Sequence, residues 1–404
     1  MALRAIVGGL ILASSVQATA ETSCCQFLSR ELPNEVFSPS HGTDTYNRLN
    51  NARWSDTTIL SPGCIFQPKS TKDVSRGLKV LANKKCQFAI KSGGHNPNPG
   101  ANNINGGVSI DLGLLNQISL AADRSYVSLG AGSTWGAAYD KFTGEEGLLF
   151  PGGLCGTTGV GGVSLGGGQS YLLPKLGWVV DSVLNYEVVL ASGDIVNANQ
   201  KSHPSLFKAL KGGGSNFGIV TRADVATFEQ TDIWAGQVIT PALPTTVEAA
   251  LQATTNFTEL ANSHPNSGAQ VVLTYTNGSA IIISSVASND GTVNPEPLQA
   301  FTALQPQLGN TVSLRSMSNV VKELDSNQAS GYRDAAATIT FVNDYATLAA
   351  VQNLTAAVYA HIQPEVPNMD FILFLVPMPK VTETYAAARG GNALGLSDRT
   401  KDLM

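Results

Sequence analysis

The chain has 404 residues, of which 43% are hydrophobic and 14% charged, and its net charge is −5. That length exceeds one small core and predicts two domains of ordinary size. An acidic balance lacks the basic face that neutralises phosphates, which excludes a nucleic-acid binder.

At the N-terminus, Arg4 precedes an apolar run from Ala5 to Ala13, and Ala18-Thr19-Ala20 offers a small-x-small cleavage site. This is the layout of a secretory signal peptide over residues 1–20, with the mature chain starting near Glu21. The apolar part is too short for a membrane anchor, and no later stretch is long enough to span a bilayer. Export places the chain in an oxidising compartment. Cys24, Cys25, Cys64 and Cys86 then predict disulfides, and Cys155 is the outlier in position. Sequons at Asn256, Asn277 and Asn353 fit a secreted glycoprotein.

After an N-terminal segment over 21–57, residues 58–230 read as short strands punctuated by glycine turns. Gln87 to Lys91 is a strand leading into Ser92-Gly93-Gly94. Val108, Ile110 and Leu112 alternate with Ser109 and Asp111, which predicts a half-buried strand. A strand over Tyr126 to Leu129 leads through Gly130-Ala131-Gly132 to Ser133, a candidate N-cap for a helix carrying Trp135, Ala138, Tyr139 and Phe142. Val183 to Leu190, the turn Ala191 to Asp194 and Ile195-Val196 form a hairpin pattern. A short helix over Pro204 to Leu210 is stopped by Gly212-Gly213-Gly214, and Phe217 to Phe228 follows as a strand.

Near residues 231–239 the texture changes, and the second domain is placed at 231–404. Helical stretches appear over Thr246 to Ala261 and Asp344 to Ile362, with β-branched strands over Ala269 to Thr276 and Ala280 to Val286 and an apolar strand over Phe371 to Val376. The strands are too closely spaced for a regular βαβ series, so the fold class is α+β. His41, His203 and His264 read as surface residues, no Cys or His spacing predicts a zinc site, and no G-x-S-x-G elbow is present.

Two glycine features carry chemistry. In Lys91-Ser92-Gly93-Gly94-His95 a lone imidazole closes a turn almost bare of side chains, where exposed N–H groups suit an anion. Between Gly152 and Gly168, nine of seventeen residues are glycine, interleaved with Val160, Val163 and Leu165 as in a packed segment. A dinucleotide motif of the G-x-G-x-x-G type fails three times, because Trp135, Ser164 and Phe217 stand where the third glycine belongs.

Lys91 to His95, Pro151-Gly152-Gly153, Gly159 to Gly168 and Ala209 to Thr221 occur in that order. Together they resemble the FAD-linked oxidases of the vanillyl-alcohol oxidase and berberine-bridge type, especially the secreted fungal members. The resemblance implies a two-domain FAD-binding fold of the PCMH type, with an α/β substrate domain of antiparallel sheet plus helices. It implies FAD contacts from Lys91, Ser92, Gly93, Gly94, His95, Asn96, Cys155, Thr158, Gly159, Gly162, Gly218 and Val220. His95 would be joined to the 8α carbon of the flavin. Cys155 has two readings, a second tether to C6 of the ring or a small buried thiol, since Gly156 replaces the proline usual after such a cysteine. The implied reaction is hydride removal from an alcohol, sugar or secondary metabolite, with dioxygen reoxidising the flavin to give hydrogen peroxide. Family members continue through a flavin-facing strand and a segment returning to the FAD domain. Here the chain ends soon after Gly390 to Leu396, and the polar stretch Ser397 to Lys401 reads as running past the homologous region. The expectation is therefore a C-terminally truncated substrate domain, no assignable base, and an impaired flavoprotein or binding module as the competing function.

Overall fold

The computed structural model describes residues 23–404 apart from 145, 231, 327–328 and 397–398. The signal-peptide reading lies outside the described residues.

The glycine-rich half rests on two sheets. Val36–Phe37, Cys64–Phe66, Val108–Asp111 and Phe88–Lys91 form a four-stranded sheet in that order. The last three run parallel, so a crossover must join Phe66 to Phe88. Helix Thr71–Asn83 supplies it, capped by the Ser70 hydroxyl, which accepts from the Asp73 amide. The disulfides Cys24–Cys86 and Cys25–Cys64 staple the helix over 23–31 to this sheet. Part of the N-terminal segment is thus an edge strand and a pinned helix.

Strand Val108–Asp111 is buried at all four positions instead of alternating. It lies between two parallel neighbours, and its polar side chains are paired in the interior. Ser109 accepts from Arg53, and Asp111 binds Lys91 at 3.1 Å. Alternation marks a half-buried strand only when polar side chains face water.

Ile118–Leu120, Tyr126–Gly130, Ile219–Ala226, Val183–Val189 and Ile195–Asn199 form an antiparallel sheet in that order. The expected hairpin and the helix Pro204–Leu210 are both present. Helix Trp135–Phe142 is capped by Thr134, one residue later than expected, whose hydroxyl accepts from the Ala137 amide. Ser133 is spent earlier: its amide closes a turn onto the Gly130 carbonyl.

In the second half, long antiparallel strands Ile233–Pro241, Ser279–Ser288, Ser267–Thr276 and Phe371–Leu375 lie side by side. Helix Tyr345–Ile362 covers the sheet through Tyr359 against Tyr275 and Phe371, and helix Pro244–Leu260 packs on helix Glu296–Thr302 through Phe257 against Phe301. The halves share a core in which Trp135 and Tyr139 meet Ile233, Met317, Val320 and Val321.

The last residues of the chain pack against the rest of it. Leu403 bridges Val342 and Met378, Met404 is buried, and Asp402 accepts from Asn262 and the Lys380 amide. Residues 389–394 also reach the glycine-rich half: the Ala393 amide donates to the Lys211 carbonyl at 2.7 Å and Asn392 donates to Asp181 at 2.9 Å.

Candidate functional site

The turn after strand Phe88–Lys91 meets the glycine segment face to face. A Cβ on Gly93 would lie 2.5 Å from the Gly159 nitrogen, so the two backbones touch where no side chain fits. Ser92 ties three segments together: its hydroxyl donates to the Ala131 carbonyl at 2.5 Å and accepts from the Gly161 amide at 3.2 Å. Much of the glycine segment is a short helix, Val160–Gly166. Gly162 and Gly166 stand one turn apart on it, and a Cβ on either would meet no protein atom within 4 Å. Those glycines leave a bare face over open space.

That space is a cleft of about 630 Å³, a size typical of small-molecule and cofactor sites. Ser92, Gly93, Gly94, His95, Asn96, Thr158, Gly159, Gly162, Gly218 and Val220 line it. Ten of the twelve residues implied by the resemblance therefore surround one cavity. Lys91 and Cys155 are not in its lining. The Lys91 ammonium is buried beneath the turn against Asp111, and Cys155 is half-buried just before the cleft-lining Thr158. Asn96 stands exposed at the rim. Gly218 takes φ +146, and a Cβ there would lie 2.6 Å from Val188 Cγ1.

His95 is the one titratable side chain among the described residues lining the cleft. Its ring stacks on Trp54 with centroids 4.7 Å apart and planes 13° from parallel. Its Nε2 lies 3.5 Å from the Thr157 hydroxyl. Burial pushes its pKa below the ordinary 6.5, while Asp325 and Asp334 pull the other way. The balance favours a neutral imidazole, the form that has a lone pair to offer. Of the remaining histidines, His203 and His41 are exposed, and His264 is partly exposed beside Glu296.

Residues without a sequence motif complete the site. Arg53 is buried and donates to Asn102 and Ser109, fixing the loop that forms one wall. Burial lowers its pKa to about 10. Asp325 accepts from the Gly156 amide at 2.8 Å and so holds the loop before Thr158. These contacts span long sequence separations, and no local pattern announces them.

A family model described as an FAD binding domain matches residues 62–199. An FAD-dependent monooxygenase of Cochliobolus heterostrophus is 31% identical over 97% of this chain and 80% of its own length. An uncharacterized FAD-linked oxidoreductase of Arthroderma benhamiae is 33% identical over 93% of this chain and 73% of its own. Among solved structures, 6-hydroxy-D-nicotine oxidase from Arthrobacter nicotinovorans superposes with a TM-score of 0.64 at 26% identity, covering 73% of this chain and 64% of that one. Berberine bridge enzyme from Eschscholzia californica gives a TM-score of 0.62 at 18% identity over 75% of this chain and 62% of its own, a likeness of fold alone. The chain thus spans just under two thirds of these solved structures. With the α+β architecture and the glycine-lined cleft, these likenesses show that the chain belongs to the FAD-linked oxidoreductases of the vanillyl-alcohol oxidase and berberine-bridge type.

Proposed function

We propose that this cleft holds FAD, that His95 is its covalent attachment point, and that the protein oxidises a small alcohol, sugar or secondary metabolite at the expense of dioxygen. The observation that carries the reading is the convergence of ten implied residues on one cavity, where His95 is the single titratable side chain among the described lining residues. The bare faces of Gly162 and Gly166 support it, since a Cβ at either would fill the cradle a flat or phosphate-bearing ligand needs.

FAD, when bound, supplies the acceptor for a substrate hydride and returns the electrons to dioxygen as hydrogen peroxide. The chain's own part is to bind and orient. Backbone amides of the Ser92–His95 turn suit the pyrophosphate, and burial keeps the His95 imidazole neutral and nucleophilic. Cys155 is a candidate second tether, two residues before Thr157 at the edge of the His95 ring. The two disulfides and the exposed Asn256, Asn277 and Asn353 support a secreted, N-glycosylated protein.

A second reading has its own observation. Among the described lining residues no acid–base group stands beside His95, which favours a flavoprotein that holds its cofactor without turnover. The two readings separate on purified protein given a panel of alcohols, oligosaccharides and aromatic metabolites. Peroxide release with any of them supports the oxidase. Acid-stable yellow protein that releases none supports the inert flavoprotein.

A further inference from the structure

His95 is gripped by a residue that belongs to no glycine motif. Trp54 lies in the N-terminal segment, 41 positions away in sequence, yet its indole stacks on the imidazole at 4.7 Å and 13°. Its amide donates to the Gly94 carbonyl at 3.1 Å, so the same residue holds both the turn and the ring. The indole N–H is buried and makes no hydrogen bond, which leaves stacking as the side chain's main contribution here.

Trp54 is in turn fixed from the second half of the chain. The Gly331 amide donates to the Trp54 carbonyl at 2.9 Å, and the Asp56 amide donates to the Tyr332 carbonyl at 2.7 Å. Ser55 and Tyr332 form a parallel bridge. Asp334 extends the contact, its amide accepted by the Thr57 hydroxyl at 2.8 Å. Residues 331–334 therefore lie along 54–57 like an added strand. On the far edge of the imidazole, Asp325 holds the loop that carries Thr157.

We propose that Trp54 is a positioning residue for flavin attachment: it fixes the plane of the His95 imidazole, and the segment 331–334 of the second half sets Trp54. This inference rests on the proposed tether at His95. The physical reason is directional. A ring nitrogen attacks along its in-plane lone pair, so free rotation of the imidazole spreads that direction over many useless orientations. A stacked indole allows the ring to slide in its plane and opposes its tilt. Formation of the bond between the imidazole nitrogen and the 8α carbon releases the N–H proton, one C–H proton and two electrons, which dioxygen accepts as hydrogen peroxide. Trp54 takes no part in that exchange and acts only on the approach geometry.

The test compares the holoproteins of wild type, Trp54→Phe and Trp54→Leu. Total bound flavin is measured after complete proteolysis, and attached flavin is measured in the acid precipitate. Phe keeps a stacking ring, whereas Leu keeps apolar volume without one. The expected result is wild-type attachment in Trp54→Phe and an attached fraction lower by about fivefold or more in Trp54→Leu, with total flavin retained. Equal attached fractions in all three proteins overturn the inference while leaving the tether standing. Loss of total flavin in Trp54→Leu overturns it too, because Trp54 would then serve binding or folding and not aim. No attached flavin in the wild type overturns the tether itself and this inference with it.

Discussion

Gly93 and Gly159 meet so closely that a Cβ on Gly159 would stand 2.3 Å from the Gly93 nitrogen. This contact joins the His95 turn to the start of the glycine helix, and both glycines line the cleft. It brings two glycine motifs some sixty residues apart to one cleft.

Gly159→Ala should therefore distort both motifs. The methyl group has backbone on its far side and cannot be accommodated by a rotamer change. Overpacking of this kind costs about 1–3 kcal/mol. We expect a lower Tm and a reduced flavin content, read by thermal unfolding and by absorbance of the purified protein.

Gly162→Ala should separate folding from binding. A Cβ there meets no protein atom within 4 Å, and the residue lies inside a helix. Relieving a helical glycine gains about 0.5–1 kcal/mol, so stability should hold or rise. The methyl group points into space the cofactor needs, so flavin content should fall. Unchanged flavin content would place the cofactor elsewhere.

How much of this was legible beforehand depends on whether the determinant was local. Helix Pro204–Leu210 was readable because proline opens it and a glycine run stops it, both within one turn of the ends. The ten cleft residues were legible through the family resemblance that the ordered glycine motifs carry. Ser133 and Thr134 are both good caps, and only the turn onto Gly130 decides between them. Strand Val108–Asp111 was misread as half-buried because Arg53 and Lys91, its buried partners, come from elsewhere. Trp54 was invisible for the same reason: its partners are a histidine 41 residues away and a segment some 280 residues away.

Lys211 offers a pH test of the segment that returns to the glycine-rich half. It is fully buried, donates to the Arg389 carbonyl at 2.9 Å and lies 4.2 Å from the Phe207 ring centre. Burial lowers its pKa from 10.5 to about 8, partly offset by Asp181. Between those two values the unfolded chain binds more protons than the folded one, so this residue makes stability rise with pH there. Below about 8 both states are charged and the contribution is flat. Urea titrations at pH 8 and pH 10 should show that rise in the wild type relative to Lys211→Met, which should lack it.

The disulfide Cys25–Cys64 closes a 39-residue separation and anchors the helix over 23–31 to the first sheet. Its removal by Cys25→Ala with Cys64→Ala should cost about 2–5 kcal/mol. The midpoint of urea unfolding should fall accordingly. The cleft residues begin at Ile90, so flavin content at low temperature should be preserved.

The central claim is that His95 holds FAD in this cleft, and acid precipitation of the purified protein tests it most directly. Protein from an FAD-replete host should give a yellow pellet, and the double variant His95→Ala, Cys155→Ala a colourless one. His95→Ala alone should leave residual colour only if Cys155 is a second tether. A colourless wild-type pellet, or a double variant as yellow as the wild type, would contradict the account.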